Sequence, residues 1–158
     1  MLKLTRSLPL VILIMSQVAL FGQYNFRPGY IVNHYDDTTY VLIDHETWSI
    51  SPSEINIKKT LEAPIEVFNL NDLKFFEIGN EVYYNKIVAV NTPSTSYEFD
   101  EVPKSKEPVF ENRRAFIRKY VSGTIELFIL DDKDGINHYY IQKHKDSLMP
   151  LTFVRYID

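Results

Sequence analysis

Short runs in which apolar and polar residues alternate extend over most of the chain, and this period of two is typical of β-strands. The run 30–34 alternates in this way, and β-forming residues resume at 38–43 after a polar break. The residue types in the break favour tight turns. We therefore predict a first β-hairpin that turns at Tyr35, Asp36 and Asp37.

Further runs predict strands along the middle of the chain. The stretches EINIKK from Glu54 and IEVFN from Ile65 are rich in β-forming residues, and Pro52 and Pro64 mark the approaches to them. The stretch EVYYNKIVAV from Glu81 is the longest predicted strand.

Two segments allow a helix as well as a strand. The stretch NLNDLKFF predicts a single helical turn capped by Asn69 or Asn71, since Asn side chains bind the free amides at a helix start. In 112–121 the apolar residues fit helical spacing and also alternate. We favour a strand there, because Ser122 and Gly123 form a turn signal before the β-forming stretch TIELFIL.

The segment 91–108 contains three Pro and alternating charges with little apolar periodicity, so we predict a long exposed loop. After the stretch TIELFIL, DDKDG turns the chain into INHYYIQKH as a last hairpin. These runs predict about eight short antiparallel strands. The predicted fold class is mainly β, with α+β as the alternative: a sandwich or small barrel with at most one or two short helices.

The N-terminus has the pattern of a secretory signal peptide. Lys3 and Arg6 precede an uncharged, mostly apolar segment of about 14 residues, 8–21. A membrane-spanning helix needs roughly 20 such residues, so an uncleaved anchor is the less favoured alternative. We predict cleavage near Gly22 and a mature protein that is periplasmic or extracellular, with no membrane span.

Cleavage would leave 23–158, which is 158 − 22 = 136 residues and fits a single mainly β domain. The chain has no Cys, which excludes disulfides, thiol catalysis and thiolate metal sites. Loss of 1–22 removes two positive charges and changes the formal net charge from −4 to −6. So acidic a protein gives no electrostatic reason to expect nucleic acid as a partner.

Several stretches share a pattern of aromatic and turn residues with a known group of sequences. They are GYIV (29–32), DT (37–38), WSISPSEINIK (48–58), NDLKFF (71–76), GTIELF (123–128) and HYYIQK (138–143). Over about 26–151 the chain resembles uncharacterised exported proteins of Bacteroidetes type, although Asp36 and Val41 stand where those proteins have Gly. The resemblance implies export and a β-rich fold. It implies no catalytic residues, because the family has no established activity.

The first hairpin carries His34, Asp36 and Asp37, which supply part of a metal or hydrolase site. His34 and Asp36 would share one face of the sheet if the strand continued that far. A complete site needs further ligands, which the neighbouring sequence does not indicate. We favour a turn rich in Asp, and a hydrolase or a metal-dependent module is the alternative.

A second acidic stretch resembles half of a calcium-binding loop. Asp132, Asp134 and Gly135 have the required spacing, but Leu130 stands where the full pattern needs Asp or Asn. We therefore predict a tight turn here. The chain also lacks the local signatures of hydrolases and of phosphate-binding loops, so we predict no catalytic residues, no metal site and no cofactor.

Three aromatic doublets are the remaining candidates for function. They are Phe75–Phe76, Tyr83–Tyr84 and Tyr139–Tyr140. Neighbours on a strand point to opposite faces of a sheet, so one ring of each pair can join the core while the other faces solvent, a second layer or a partner. We predict a non-catalytic binding or structural module in which Tyr83, Tyr84, Tyr139 and Tyr140 contribute to binding of a protein or glycan of the cell envelope. The alternative is a sheet covered on both sides, or single Tyr residues that lie at the surface with their hydroxyls in water.

Overall fold

The computed structural model describes residues 24–45, 48–91, 108–133, 135–144 and 146–152. These residues form ten strands and no helix. The strands are β1 (Phe26–Asn33), β2 (Thr38–Asp44), β3 (Glu54–Lys58), β4 (Glu66–Asn69), β5 (Leu73–Ile78), β6 (Glu81–Asn91), β7 (Phe110–Val121), β8 (Ile125–Asp131), β9 (Asn137–Lys143) and β10 (Met149–Leu151).

All ten strands belong to one antiparallel sheet, which is curled into a half-barrel. The strand order is β10-β9-β8-β7-β6-β5-β1-β2-β3-β4. The predicted mainly β class is confirmed, whereas the expected sandwich or small barrel is replaced by a single curled sheet. The sequence also did not predict β10, an edge strand that contains Pro150. Proline is tolerated at an edge because its missing N–H need not join a ladder.

The first hairpin turns where the sequence predicts. The Asn33 amide donates to the Asp37 carbonyl at 3.1 Å, and the Asp36 amide donates to the Asn33 carbonyl at 3.2 Å. The Asn33 side chain also accepts from the Tyr35 and Asp37 amides. Asp36 has a φ of 68°, a left-handed conformation that Asp adopts more readily than most residues. Asp therefore serves at this position in the turn without the flexibility of Gly.

The predicted helical turn at Asn69 or Asn71 is wrong. The Asp72 amide donates to the Asn69 carbonyl at 3.0 Å, which closes a tight turn between β4 and β5. The Asn69 side chain accepts from the Asn71 amide at 2.8 Å, so it stabilises the turn locally instead of capping a helix. The preferred interpretation of 112–121 as a strand is confirmed, because these residues lie within β7.

Two hydrophobic cores lie on opposite faces of the sheet. The first contains Ile31, Val41, Ile43, Ile55, Ile57, Leu73, Phe76, Ile78, Tyr83 and Phe116, and the second contains Val88, Val90, Ile117, Phe128, Leu130 and Tyr140. Adjacent residues on β7, Phe116 and Ile117, belong to different cores, as strand alternation requires. The sheet face opposite the first core on β1, β2, β5 and the part of β6 at Tyr83 and Tyr84 is called the outer face below.

The connection between β2 and β3 crosses the face that carries the first core. Trp48 makes edge-on contacts with Phe76 and Tyr83, at centroid distances of 5.8 and 5.3 Å. Further along, the Ser51 amide donates to the Asp131 carbonyl at 2.7 Å, and the Asp131 amide donates to Ser51 Oγ at 3.0 Å. The connection is therefore anchored to the end of β8.

The predicted signal peptide, 1–22, lies outside the described residues. So does 92–107, nearly all of the predicted exposed loop. Within the segments that the structure describes, no helix is long and apolar enough to cross a membrane.

Candidate functional site

The aromatic doublets divide between the two faces of the sheet. Tyr83 is 4% exposed in the first core and Tyr140 is 1% exposed in the second. Their neighbours are more accessible: Tyr84 is half-buried, and Tyr139 is 39% exposed. Of the four predicted binding residues, Tyr84 and Tyr139 can therefore reach a partner. The strand register places these two rings on opposite faces, so they do not form one surface.

The outer face carries a row of four rings that crosses four strands. We call it the aromatic ladder, and it consists of Tyr40 on β2, Tyr30 on β1, Phe75 on β5 and Tyr84 on β6. Ring centroids are 6.0 Å apart for Tyr40 and Tyr30, 6.0 Å for Tyr30 and Phe75, and 5.3 Å for Phe75 and Tyr84. Tyr40 is 80% exposed at one end. At the other end, Tyr84 packs edge-on against Phe128 of the second core.

Charged groups flank the rings of the ladder. The Tyr30 hydroxyl donates to Glu77 Oε2 at 2.7 Å, and this bond, together with burial, raises the pKa of Tyr30 to about 12. The hydroxyl is therefore a protonated donor at neutral pH. The ammonium groups of Lys119 and Lys86 lie 5.1 and 5.9 Å from the centroid of the Tyr84 ring, within range of cation–π attraction.

The sequence predicted Tyr84 as a binding residue and placed Phe75 in a candidate aromatic doublet, but Tyr30 and Tyr40 were missed. A signal for these two was present. A hairpin centred on Tyr35 pairs Tyr30 directly with Tyr40, as observed. The placement of Phe75 beside Tyr30 depends on the pairing of β1 with β5, which no local pattern indicates.

The polar residues of the first hairpin do not converge. His34 Nε2 lies 3.3 Å from the Leu70 carbonyl oxygen, while Asp36 forms an ion pair with Lys74. The Asp37 carboxylate accepts a hydrogen bond from the side-chain amide of Asn33 at 3.1 Å. In the described part of the chain, no group of three or more His, Asp or Glu residues is placed to hold a metal ion.

The second acidic stretch forms a buried polar cluster instead of an open loop. Asp132 is buried, and its carboxylate lies 3.2 Å from His138 Nε2 and 3.6 Å from Arg113 Nη1. Gly135 has a φ of 74° and its amide donates to the Asp132 carbonyl, which closes the predicted turn. Asp134 lies outside the described residues.

Tyr140 places a hydroxyl group inside the second core. Burial is the main cause that raises its pKa to about 12; Arg113 lowers the pKa and Asp132 raises it further. The hydroxyl is buried and has no hydrogen-bond partner among the described residues. A buried polar atom without a partner destabilises the folded state, because unfolding returns it to water.

We therefore expect Tyr140→Phe to raise the free energy of unfolding by about 1 kcal/mol at pH 7. The gain should grow between pH 10 and 12, because folding raises the Tyr140 pKa from 10.0 to about 12. In that range the tyrosine ionises more readily in the unfolded state, so rising pH destabilises the folded wild type but not the variant. Urea unfolding of both proteins at pH 7 and pH 11 measures the two differences. A lower stability of the variant at pH 7 would contradict the expectation.

Comparison of the chain with protein-family models, with curated proteins and with solved structures found no match.

Proposed function

We propose that the protein is an exported, non-catalytic binding module of the cell envelope that uses the aromatic ladder to hold a glycan. The observation that carries the proposal is the continuous row of rings on the outer face, with Tyr40 exposed at its end. Export is supported by Lys3 and Arg6 ahead of the apolar segment 8–21.

The chemistry beside the rings favours a saccharide over a protein partner. The central parts of protein interfaces are depleted of Lys and Glu. The ladder instead has Lys86 and Lys119 beside Tyr84, and the Glu77 carboxylate beside Tyr30. A sugar ring presents C–H groups that can pack on an aromatic face and hydroxyls that can bond to charged side chains. A mixed row of rings and charges fits both requirements.

Binding of soluble cell-wall and capsule oligosaccharides to the full chain tests this function. We expect Tyr40→Ser and Tyr84→Ser each to weaken binding about tenfold, which is about 1.4 kcal/mol, because each removes one stacking surface. The matched control is Tyr35→Ser, since Tyr35 is exposed at the tip of the first hairpin and makes no ring contact within the ladder. Its affinity should equal that of the wild type.

Two other results would contradict the glycan proposal in different ways. If no oligosaccharide binds but cross-linking in the intact envelope captures a protein with the wild type and not with Tyr40→Ser, the ladder binds protein. If Tyr139→Ser abolishes oligosaccharide binding while Tyr40→Ser does not, the binding face is the one opposite the ladder.

A further inference from the structure

The sheet splits between β7 and β8. The hydrogen-bonded pairing of these two strands ends at Arg118 on β7 and Ile129 on β8. The β6–β7 pairing nevertheless continues to Phe110, and the β8–β9 pairing continues to Asp131. Beyond Ile129, β7 and β8 therefore diverge and leave an opening.

The opening forms a cleft of about 300 Å³. Its walls are 113–115 on β7, 130–133 at the end of β8, and 50–53 of the β2–β3 connection, together with Leu70. The two hydrogen bonds between Ser51 and Asp131 hold the segment 50–53 against the end of β8. This volume lies at the lower end of the range for small-molecule sites, so the cleft suits a small ligand.

The cleft combines apolar walls with a net positive charge. Ile50, Pro52, Leu70, Ala115 and Leu130 supply the apolar surface. The two carboxylates have cationic neighbours: Asp131 lies 3.8 Å from Arg118, and Asp132 contacts Arg113 and His138. The remaining two charged groups are the cations of Arg114 and Lys133, and within the described segments neither forms an ion pair with a carboxylate.

Arg114 is oriented by groups that carry no negative charge. Its Nε donates to Asn85 Oδ1 at 3.0 Å, and its Nη1 donates to Asn71 Oδ1 at 3.2 Å. Its Nη2 lies 3.4 Å from His34 Nε2. These contacts fix the guanidinium but leave its charge uncompensated, and at least two of its five N–H donors remain. A guanidinium in this state matches the planar geometry of a carboxylate.

We propose that this cleft binds a small monocarboxylate with an apolar body, independently of the function of the aromatic ladder. The carboxylate pairs with Arg114, with Lys133 adding long-range attraction. The apolar body packs against Ile50, Leu70 and Leu130. This accounts for an oriented arginine beside apolar walls in a chain of net charge −4.

Titration of the ¹⁵N-labelled full chain with phenylacetate, phenylacetamide and inorganic phosphate tests the proposal by NMR. Phenylacetate has both the carboxylate and the apolar ring, whereas each of the other probes lacks one of them. We expect phenylacetate to bind at least tenfold more tightly than either and to shift the amide signals of 113–115 and 130–133. Equal binding of phenylacetamide would overturn the role of charge, and equal binding of phosphate would overturn the role of the apolar walls.

Substitution of the arginine separates binding in the cleft from binding elsewhere. We expect Arg114→Gln to weaken phenylacetate binding at least tenfold. Arg27→Gln is the matched control, because Arg27 is an exposed arginine at the opposite end of β1 from His34. Ile50→Glu is a second test: it places a negative charge on an exposed wall residue and should abolish binding without unfolding the protein. Full binding by folded Arg114→Gln and Ile50→Glu variants would overturn the proposal.

Discussion

Replacing Phe76 with Ala is expected to lower the free energy of unfolding by about 4 kcal/mol. The Phe76 ring is fully buried and stacks on Tyr83, with centroids 4.8 Å apart and planes 8° from parallel. Trp48 and Phe116 contact it edge-on at 5.8 and 5.1 Å. The substitution therefore leaves a cavity between three rings, and the loss is a large part of the stability of a typical domain. Urea denaturation of both proteins measures the difference.

The neighbouring residue provides the control. Phe75 lies on the outer face and is half-buried, so Phe75→Ala should cost less than half as much as Phe76→Ala. An equal loss at both positions would mean that both faces of β5 are packed inside protein. That result would contradict an accessible aromatic ladder as well as the assignment of Phe76 to the first core.

Strand positions could be predicted from the sequence because the alternation of residue types is local information. The runs at 30–34 and 38–43 and the turn between them need no knowledge of distant residues. The same holds for β7, where Ser122 and Gly123 favoured a strand followed by a turn over a helix. The error at Asn69 has a local cause too, because an Asn side chain stabilises a tight turn and a helix start through the same kind of hydrogen bond.

The packing of each strand face could not be predicted in this way. Alternation shows that Tyr83 and Tyr84 point to opposite faces, but it does not show what covers either face. Because the two cores lie on opposite faces of one sheet, the buried face changes along the strand order. Tyr83 belongs to the first core, whereas Tyr140 belongs to the second. The choice between core and surface is thus a property of the whole sheet.

Both proposed sites depend on pairings between strands that are distant in sequence. The ladder needs β1 beside β5, which brings Tyr30 close to Phe75. The cleft needs β7 and β8 to diverge while a connection from residues 50–53 binds the end of β8. No local pattern encodes these approaches. Sequence reasoning therefore identified aromatic rings as functional candidates without identifying the set that forms one surface.

The close approach of β1 and β5 leads to the second large effect, at Gly29. A methyl group added there would overlap the Glu77 carbonyl oxygen and lie 2.9 Å from Ile43 Cδ1. The carbonyl is part of the backbone of β5 and cannot move without disturbing the β1–β5 ladder. We expect Gly29→Ala to lower the free energy of unfolding by about 3 kcal/mol in urea denaturation.

Gly123→Ala is the matched control, because the nearest atom to an added methyl group there is the Ile125 carbonyl oxygen at 3.6 Å, an ordinary contact. Its stability should stay within about 0.5 kcal/mol of the wild type. If Gly29→Ala were equally harmless, β1 and β5 would not approach as closely as described. The positions of Tyr30 and Phe75 in the ladder depend on that same approach, so the Gly29 variant should also lose oligosaccharide affinity, even under conditions where it remains folded.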